Sequence, residues 1–481
     1  MTSKSAPAAS IARILNTRVL AKRLMATSAM TFAGVLAMAS SAYAVGEYET
    51  PKFDTAPGAG MNVASNGTAT VTGYDTNYLT VTTGTPGTPG DNRTVIDWKT
   101  FNIGEQATTE FKQQGDKSVT INRVNGSNDP SKIFGTLKSS VNGQSGRGTL
   151  IILDPNGVFF GSGATIDVGG IMASTGKLSN TEATKFINGS AFVLADLDAV
   201  SGAKIENLAN ITAKEGGLIA LVAPMVQNSG LLQANLGKVV LASGKNVTVA
   251  DLHGDGLIQI QIAADKLEKS QVENSGKAIA DGGTVIMTAG AAKKAVDSVV
   301  NMSGVIQANT QNSKNGKIVL GSAGKATVSG KIEAKNIETG NITYTGRFIP
   351  VPKVNVNKGD GGSVEITANN VEITSAASVD VQRQGTYGSI GPLSVALAEG
   401  KGGNVSITGS ESASIAGDIR IGSNVGNSGN LTLGAPILSI LRSLYIGNGN
   451  LSMTAQTINL GGGLYETNLL GGNQLMGQNK L

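Results

Sequence analysis

The sequence contains no cysteine and only one histidine, His253, in 481 residues. A chain without cysteine has no disulfide, no cysteine nucleophile and no thiolate ligand for a metal. One histidine cannot supply a zinc site of ordinary ligand count, and the glycine and aspartate residues around it at 251–256 favour a turn. We therefore expect no metal and no cofactor.

Charged residues are also scarce, at 15% of the chain, and aromatic residues make up 4%. A polysaccharide lyase or hydrolase needs clustered carboxylates beside Arg or Lys, but the acidic residues here are scattered along the chain. We therefore expect the protein not to be an enzyme. Hydrophobic residues still reach 40% and alternate with polar ones, which argues against disorder and favours short strands joined by polar turns.

The first 44 residues have the pattern of a signal peptide. Five basic residues and no acidic one lie in this segment, an apolar run covers 24–39, and Ala42 and Ala44 form a small-residue cleavage site before Val45. Removing five basic residues takes the formal charge of the chain from +4 to −1. The basic isoelectric point is therefore no evidence for nucleic acid binding, and we expect no nucleic acid partner.

Residues 94–175 form a densely turned β segment. Its short β-favouring runs at 119–121, 149–153 and 158–160 are separated by turn signals. The sharpest turn occupies four consecutive residues. Proline presets φ at its second position and glycine accepts positive φ at its fourth, so this turn sends one apolar strand directly into the next. The four residues are Asp154, Pro155, Asn156 and Gly157.

Several motifs of this segment, in their order and spacing, resemble the two-partner secretion domain, also called the filamentous haemagglutinin N-terminal or haemagglutination activity domain. They are Ile96-Asp97-Trp98-Lys99-Thr100-Phe101-Asn102-Ile103-Gly104, Phe111, Ile121-Asn122-Arg123-Val124, Ser131-Lys132-Ile133-Phe134-Gly135-Thr136-Leu137, Asp154-Pro155-Asn156-Gly157-Val158-Phe159-Phe160-Gly161 and Ala173-Ser174-Thr175. The family usually has Asn where this chain has Asp154. The turn chemistry survives that change, but a contact made by the Asn amide does not.

The resemblance implies a secreted or surface-displayed protein of a Gram-negative bacterium. It implies passage through the general secretory machinery and then recognition of the N-terminal domain by a dedicated outer-membrane β-barrel transporter. The recognition motifs carry over to Asn122, Arg123 and residues 154–157. The resemblance also implies an N-terminal cap on the first coils, which we place with them in a secretion domain at 45–180.

Repeated short strands continue from 181 to 481. Gly403, Gly429 and Gly449 each open an apolar alternation and are 26 and 20 residues apart. A repeat of that length with three short strands is the unit of a parallel β-helix, and parallel crossovers are right-handed. We therefore predict an all-β protein, a right-handed parallel β-helix with an N-terminal cap. Roughly 20 coils at about 4.8 Å each would give a rod on the order of 100 Å long.

Two segments interrupt the strand rhythm and concentrate rare aromatic residues beside Arg, near 343–360 and 383–392. They are candidate binding loops, with Tyr344, Arg347, Phe348, Arg383 and Tyr387 as the residues of interest, although a solenoid also tolerates insertions without function. For the exported rod we expect adhesion to cells, surfaces or other bacteria, through a host-cell, glycan or surface receptor. The alternatives are haem or haemopexin capture and, less favoured, an enzyme acting on polysaccharide.

Overall fold

The computed structural model describes residues 46–47, 49–53, 69–73, 76–84, 90–250, 259–262, 266–292, 298–345, 351–390, 393–442, 444–461 and 475–477. The signal segment with Ala42, Ala44 and Val45 lies outside the described residues, as do His253, Arg347 and Phe348. Glu47–Leu481 forms one compact unit.

The unit is a right-handed parallel β-helix with three strands in each coil, which confirms the predicted fold class. Each coil passes from a first stack to a second and then a third, and strands of successive coils pair in parallel.

The first stack contains β4 (Arg93–Thr100), β6 (Val119–Val124), β10 (Thr149–Leu153), β13 (Gly170–Ser174), β17 (Leu218–Val222), β20 (Lys238–Ser243), β25 (Thr284–Ala289), β28 (Lys317–Ser322), β34 (Ser363–Ile373), β39 (Asn404–Ile415), β41 (Asn430–Gly434), β44 (Asn450–Ala455) and β46 (Leu475–Gly477). The second stack contains β7 (Ser131–Ile133), β11 (Val158–Phe160), β15 (Lys204–Asn207), β18 (Met225–Asn228), β23 (Ser270–Asn274), β26 (Ser298–Met302), β29 (Lys325–Val328), the C-terminal parts of β34 and β39, β42 (Ile437–Ile440) and β45 (Thr457–Leu460).

The third stack contains β3 (Tyr78–Thr82), β5 (Thr108–Gln113), β8 (Thr136–Val141), β12 (Thr165–Val168), β16 (Asn210–Ala213), β19 (Leu231–Gln233), β24 (Lys277–Ile279), β27 (Val305–Gln307), β30 (Lys331–Glu333), β35 (Ser378–Asp380), β40 (Asp418–Arg420) and β43 (Leu444–Tyr445). Outside the stacks lie β1 (Lys52–Phe53), β2 (Thr70–Thr72), β9 (Gln144–Ser145), α1 (Asn180–Ile187), β14 (Phe192–Leu194), β21 (Val247–Ala250), β22 (Gln259–Ile262), β31 (Asn341–Thr345), β32 (Val351–Asn355), β33 (Asn357–Lys358), β36 (Tyr387–Ile390), β37 (Leu393–Ala396) and β38 (Ala398–Glu399).

Alternation along each strand sends every second side chain inward, and the parallel register stacks those side chains in columns. Val239 pairs with Val285 and Val285 with Ile318, and all three are buried. One continuous apolar core therefore runs the length of the helix, because each coil covers the apolar face of its neighbour.

The spacing read from the sequence is the coil length. Val405 pairs with Leu431, 26 residues further on, and Leu431 pairs with Leu451, 20 residues further on. Other coils are longer, since Ile171 pairs with Ile219 across an insertion. The described part of the chain therefore has fewer coils than the roughly 20 that the sequence predicted. From β4 to β44 the described first stack has twelve strands, which gives a rod of about 55 Å at the usual strand separation.

Antiparallel strands cover the start of the stacks. β1 pairs antiparallel with β4, and β2 pairs antiparallel with β3. These strands occupy the edges that the first coil would otherwise expose, which is the function of a cap. Among the described residues no helix is both long and apolar enough to cross a membrane.

A second apolar layer covers the outer face of the first stack. Phe186 of α1 and Phe192 of β14 pack edge to face with ring centroids 5.5 Å apart, and β14 pairs antiparallel with β21. These elements bury outward-facing side chains such as Ile151 and Ala220. Strands β10 and β17 are therefore apolar on both faces, which explains their unbroken hydrophobic sequences.

Candidate functional site

The two predicted recognition motifs meet at one corner of the β-helix. Asn122 pairs with Ile152 and Arg123 with Leu153, on neighbouring strands of the first stack. The turn at 154–157 follows Leu153 and leads into the second stack. Residues separated by about thirty positions in sequence thus lie one coil apart in space.

Asn122 is fully buried. Its Oδ1 accepts a 2.9 Å hydrogen bond from the indole nitrogen of Trp98, and its Nδ2 donates over 3.3 Å to the carbonyl of Ile151. Its side chain therefore links three successive coils inside the core, where an unpaired amide or indole would be costly.

Arg123 is largely covered and makes a bidentate ion pair with Asp97. Its Nε and Nη2 donate to the two carboxylate oxygens over 2.6 and 2.9 Å. Its Nη1 donates over 2.8 Å to the carbonyl of Leu178 and over 3.1 Å to Oδ1 of Asn180. The guanidinium thus joins the first two coils to the start of α1 with the fixed geometry of a bidentate pair.

Asp154 is fully buried at the first position of the turn. Oδ2 accepts a 2.6 Å hydrogen bond from the hydroxyl of Ser131, and Oδ1 accepts from the backbone N–H and side-chain amide of Asn156 over 2.9 and 3.1 Å. Burial raises the pKa of Asp154 from its ordinary value of 3.8 to about 6, against the lowering effect of these hydrogen bonds.

The other turn residues fix the path of the chain. Pro155 is half-buried, and the backbone N–H of Gly157 donates over 2.9 Å to the carbonyl of Asp154. Gly157 has φ of +118°, and a Cβ there would lie 2.5 Å from the carbonyl oxygen of Lys204. Asn156 donates its amide to the carbonyl of Ser127 over 2.9 Å. The turn requires glycine at 157 and uses Asn156 as a bridge to the coil before it.

Two partners of this corner were not identified as site residues from the sequence, Asp97 and Ser131. Both lie in the motifs that carry the family resemblance, but nothing in one sequence shows which motif residues touch. The coil spacing could have found Asp97, since it pairs with Arg123 across one coil.

The candidate binding loops form two β-hairpins at one corner of successive coils. β31 pairs with β32, β36 pairs with β37, and the hairpins are joined by the parallel pair of β33 with β38. The hydroxyls of Thr339 and Thr386 lie 2.7 Å apart. More than half of the side-chain surface is exposed at Tyr344, Tyr387, Ile337 and Leu393.

The sequence suggested that Arg383 belongs to an exposed binding loop, but the structure places it in the interior. It is fully buried, and its guanidinium donates to the carbonyls of Glu338, Asn357 and Glu399 over 2.7, 3.2 and 3.3 Å. Arg383 is buried because backbone carbonyls at the base of the two insertions point inward. Satisfying them requires one side chain with several hydrogen-bond donors. In the described part of the chain, no group of three or more His, Asp or Glu residues is placed to hold a metal ion.

Comparison with known proteins gives consistent results. Residues 61–334 match the family model of the TPS secretion domain. Two curated relatives, both heme/hemopexin-binding proteins of Haemophilus influenzae, are 31% identical over 274 residues and 27% identical over 310 residues. These matches cover 56% and 58% of this chain but only 28% and 32% of the relatives.

The fold is shared with a solved structure. The secretion domain of HMW1 from Haemophilus influenzae superimposes with a TM-score of 0.61 at 22% identity, over 83% of this chain and 99% of that one. The family match covers more than half of this chain and includes both halves of the corner described above. The chain therefore belongs to the two-partner secretion exoprotein family, through its TPS secretion domain.

Proposed function

We propose that the chain is exported by a dedicated outer-membrane β-barrel transporter that recognises the N-terminal coils, after the general secretory machinery has carried it to the periplasm of a Gram-negative bacterium. The observation that carries this proposal is the assembly of both motifs, Asn122 with Arg123 and residues 154–157, at one corner of a matched secretion domain. We propose no catalytic activity, since the family is one of exported proteins rather than an enzyme family.

The architecture supports export by sequential folding. Among the described strands, each strand of a stack pairs only with strands of the coils next to it, so the coils that follow the N-terminal ones can form one after another as the chain emerges. Every coil that forms outside the membrane buries apolar side chains and opposes return. The N-terminal coils, with the cap and the motif corner, supply the first template.

The location of the protein in its own organism tests this proposal. Wild type is expected outside the cell, and the variant with Asn122→Ala and Asn156→Ala is expected in the periplasm. The matched control is Asn228→Ala with Asn274→Ala, because these two side chains also bridge coils, through a 2.6 Å hydrogen bond inside the second stack. Equal retention of both variants would mean that export responds to stability rather than to the corner.

For the exported rod we propose binding of a protein ligand through the paired hairpins. Exposed tyrosine and apolar side chains on a rigid support are typical of protein contacts. Tyr344, Tyr387 and Leu393 lie on the two hairpins, and Ile337 lies just before the first of them. The ligand we favour is a receptor on cells, surfaces or other bacteria, which would make the protein an adhesin.

A second candidate ligand is haemopexin or haem, because both curated relatives carry the name heme/hemopexin-binding protein. Those matches extend over 274 and 310 residues, close to the length of the family match at 61–334, so we take them to bear on export more directly than on the ligand. Binding of the purified chain to cultured cells, haemopexin and haem distinguishes the candidates. Tyr344→Ser with Leu393→Ser should abolish the binding. The control variant, Tyr445→Ser with Ile437→Ser, should leave it unchanged, because these two residues are about half-exposed but lie away from the hairpins.

A further inference from the structure

The loop at residues 125–130 connects β6 to β7 at the motif corner. Asn125, Gly126, Asn128 and Asp129 are exposed, whereas the strands on either side are largely buried. The loop therefore projects from an otherwise covered part of the second coil. Its surface consists of amides, one carboxylate and backbone groups.

The entrance of this loop is fixed by the first recognition motif. Arg123 holds the carboxylate of Asp97, and Nδ2 of Asn125 donates over 3.0 Å to Oδ1 of the same carboxylate. The backbone N–H of Asn125 donates over 3.0 Å to the carbonyl of Trp98, whose indole is held by Asn122. Arg123 and Asn122 thus each bind a residue, Asp97 or Trp98, that also accepts a hydrogen bond from Asn125, the first residue of the loop.

The middle and the exit of the loop are fixed by the second motif. Asn156 donates its amide to the carbonyl of Ser127 over 2.9 Å, at the centre of the loop. At the exit, Ser131 donates its backbone N–H to the carbonyl of Gly157 over 3.0 Å and its hydroxyl to Asp154 over 2.6 Å. Within the loop, the hydroxyl of Ser127 accepts the backbone N–H of Asp129 over 2.9 Å.

The motif residues cannot themselves form much of a contact surface. Asn122 and Asp154 are fully buried, and the guanidinium of Arg123 is occupied by Asp97, Leu178 and Asn180. A folded partner that approaches this corner meets the loop first. Substituting a motif residue would therefore affect the contact with that partner only by changing the conformation of the loop.

We propose that the exposed loop at 125–130 is the surface that the transporter contacts at this corner, and that Asn122, Arg123, Asp154 and Asn156 are positioning residues that hold its conformation. This inference rests on the proposed export function. The exposed amides and the Asp129 carboxylate fit a polar partner surface that offers hydrogen-bond donors, such as Lys, Arg or Asn side chains.

The test is export of the full chain carrying Asn128→Ala with Asp129→Ala. The matched control is Glu105→Ala with Gln106→Ala, which removes one carboxylate and one amide from an exposed turn of the neighbouring coil at a different corner. We expect the loop variant to fall at least tenfold in the medium and at the cell surface, and to accumulate in the periplasm. Its thermal midpoint should stay within a few degrees of wild type, and the control should be exported normally.

The positioning residues require a separate readout. Asn156→Ala removes the amide that holds Ser127, so it should reduce export and increase deuterium exchange at 125–130, while the fluorescence of buried Trp98 stays unchanged. If the double loop variant melts early, Asp129→Asn keeps the size of the side chain and should still lower export.

The outcomes separate the two proposals. A loop variant exported as well as wild type would overturn the role of the loop alone. Wild type confined to the periplasm would overturn the proposed export function and the loop contact together. Loss of export in the loop variant and the control alike would also overturn the loop contact, because any exposed polar turn would then suffice.

Discussion

The carboxylate of Asp154 accepts a 2.6 Å hydrogen bond from the hydroxyl of Ser131, at a position where neither carboxylate oxygen is exposed to solvent. Its other partners are the backbone N–H and amide of Asn156, so every donor that contacts it is neutral. The motif that this segment resembles has Asn at this position. This chain therefore places an ionisable group where that motif has an amide of similar shape.

Asp154→Asn is expected to stabilise the protein at neutral pH. Because the pKa of Asp154 rises from 3.8 to about 6 on folding, the folded state binds the proton more tightly and stability falls as pH increases between those values. A shift of this size corresponds to about 3 kcal/mol, of which we expect the variant to recover about 1–2. Its Nδ2 can donate to Ser131, while its Oδ1 still accepts from Asn156.

Urea unfolding of the wild type and the Asp154→Asn variant, at several pH values between about 4 and 8, measures this effect. The wild type should lose stability as pH rises through about 6, and the variant should lack that component. Parallel pH profiles would show that Asp154 does not titrate on folding. Asp167→Asn, at a less buried carboxylate, provides the control.

Gly157→Ala should destabilise the corner strongly. The φ of +118° disfavours a side chain, and a methyl group would lie 2.5 Å from the carbonyl oxygen of Lys204, a backbone atom that cannot move away freely. We expect a loss of about 3 kcal/mol or more. Gly202→Ala is the matched control, since Gly202 has φ of +80° with open space around it, and it should cost about 1 kcal/mol. Thermal unfolding that gives equal losses for both would exclude the steric cause.

Asn122→Ala is expected to loosen the first coils without unfolding the rest. The change leaves the indole nitrogen of Trp98 and the carbonyl of Ile151 without their buried partner, at a cost of about 2 kcal/mol. Because Trp98 is the one tryptophan of the chain, its fluorescence reports on these coils alone. In the variant, fluorescence should change at lower urea than circular dichroism, whereas coincident transitions would indicate that the β-helix unfolds as a single unit.

The sequence predicted the repeating part of the fold well and the inserted parts poorly. The 26- and 20-residue spacings after Gly403 are the coil lengths, because in a β-helix the period of the sequence is the period of the structure. Insertions have no such period. The layer formed by α1, β14 and β21 was not predicted, since its contacts join Phe192 to Val249 across more than fifty residues.

The sequence pattern indicated the motif residues but not their burial. A turn sequence such as 154–157 shows that the chain reverses there, and does not show that Asp154 faces the core. In the same way, Arg383 beside Tyr387 is typical of an exposed binding loop, and only the fold reveals the ring of carbonyls around the guanidinium. The sequence of a loop shows which side chains are present. Whether a side chain points inward or outward depends on coils that are distant in sequence.

Arg383→Gln should release the two hairpins while the N-terminal coils remain intact. Glutamine cannot reach and satisfy the carbonyls of Glu338, Asn357 and Glu399 together, and each buried carbonyl left without a donor costs about 1–3 kcal/mol. Hydrogen exchange should rise in β31, β32, β36 and β37 and stay unchanged in β6 and β10. Arg442→Gln, at a half-exposed ion pair with Asp418, should cost less than about 1 kcal/mol and leave the hairpins protected. Protected hairpins in the Arg383 variant would show that their own strand pairing holds them in place, and that the proposed ligand binding through Tyr344 does not depend on the buried guanidinium.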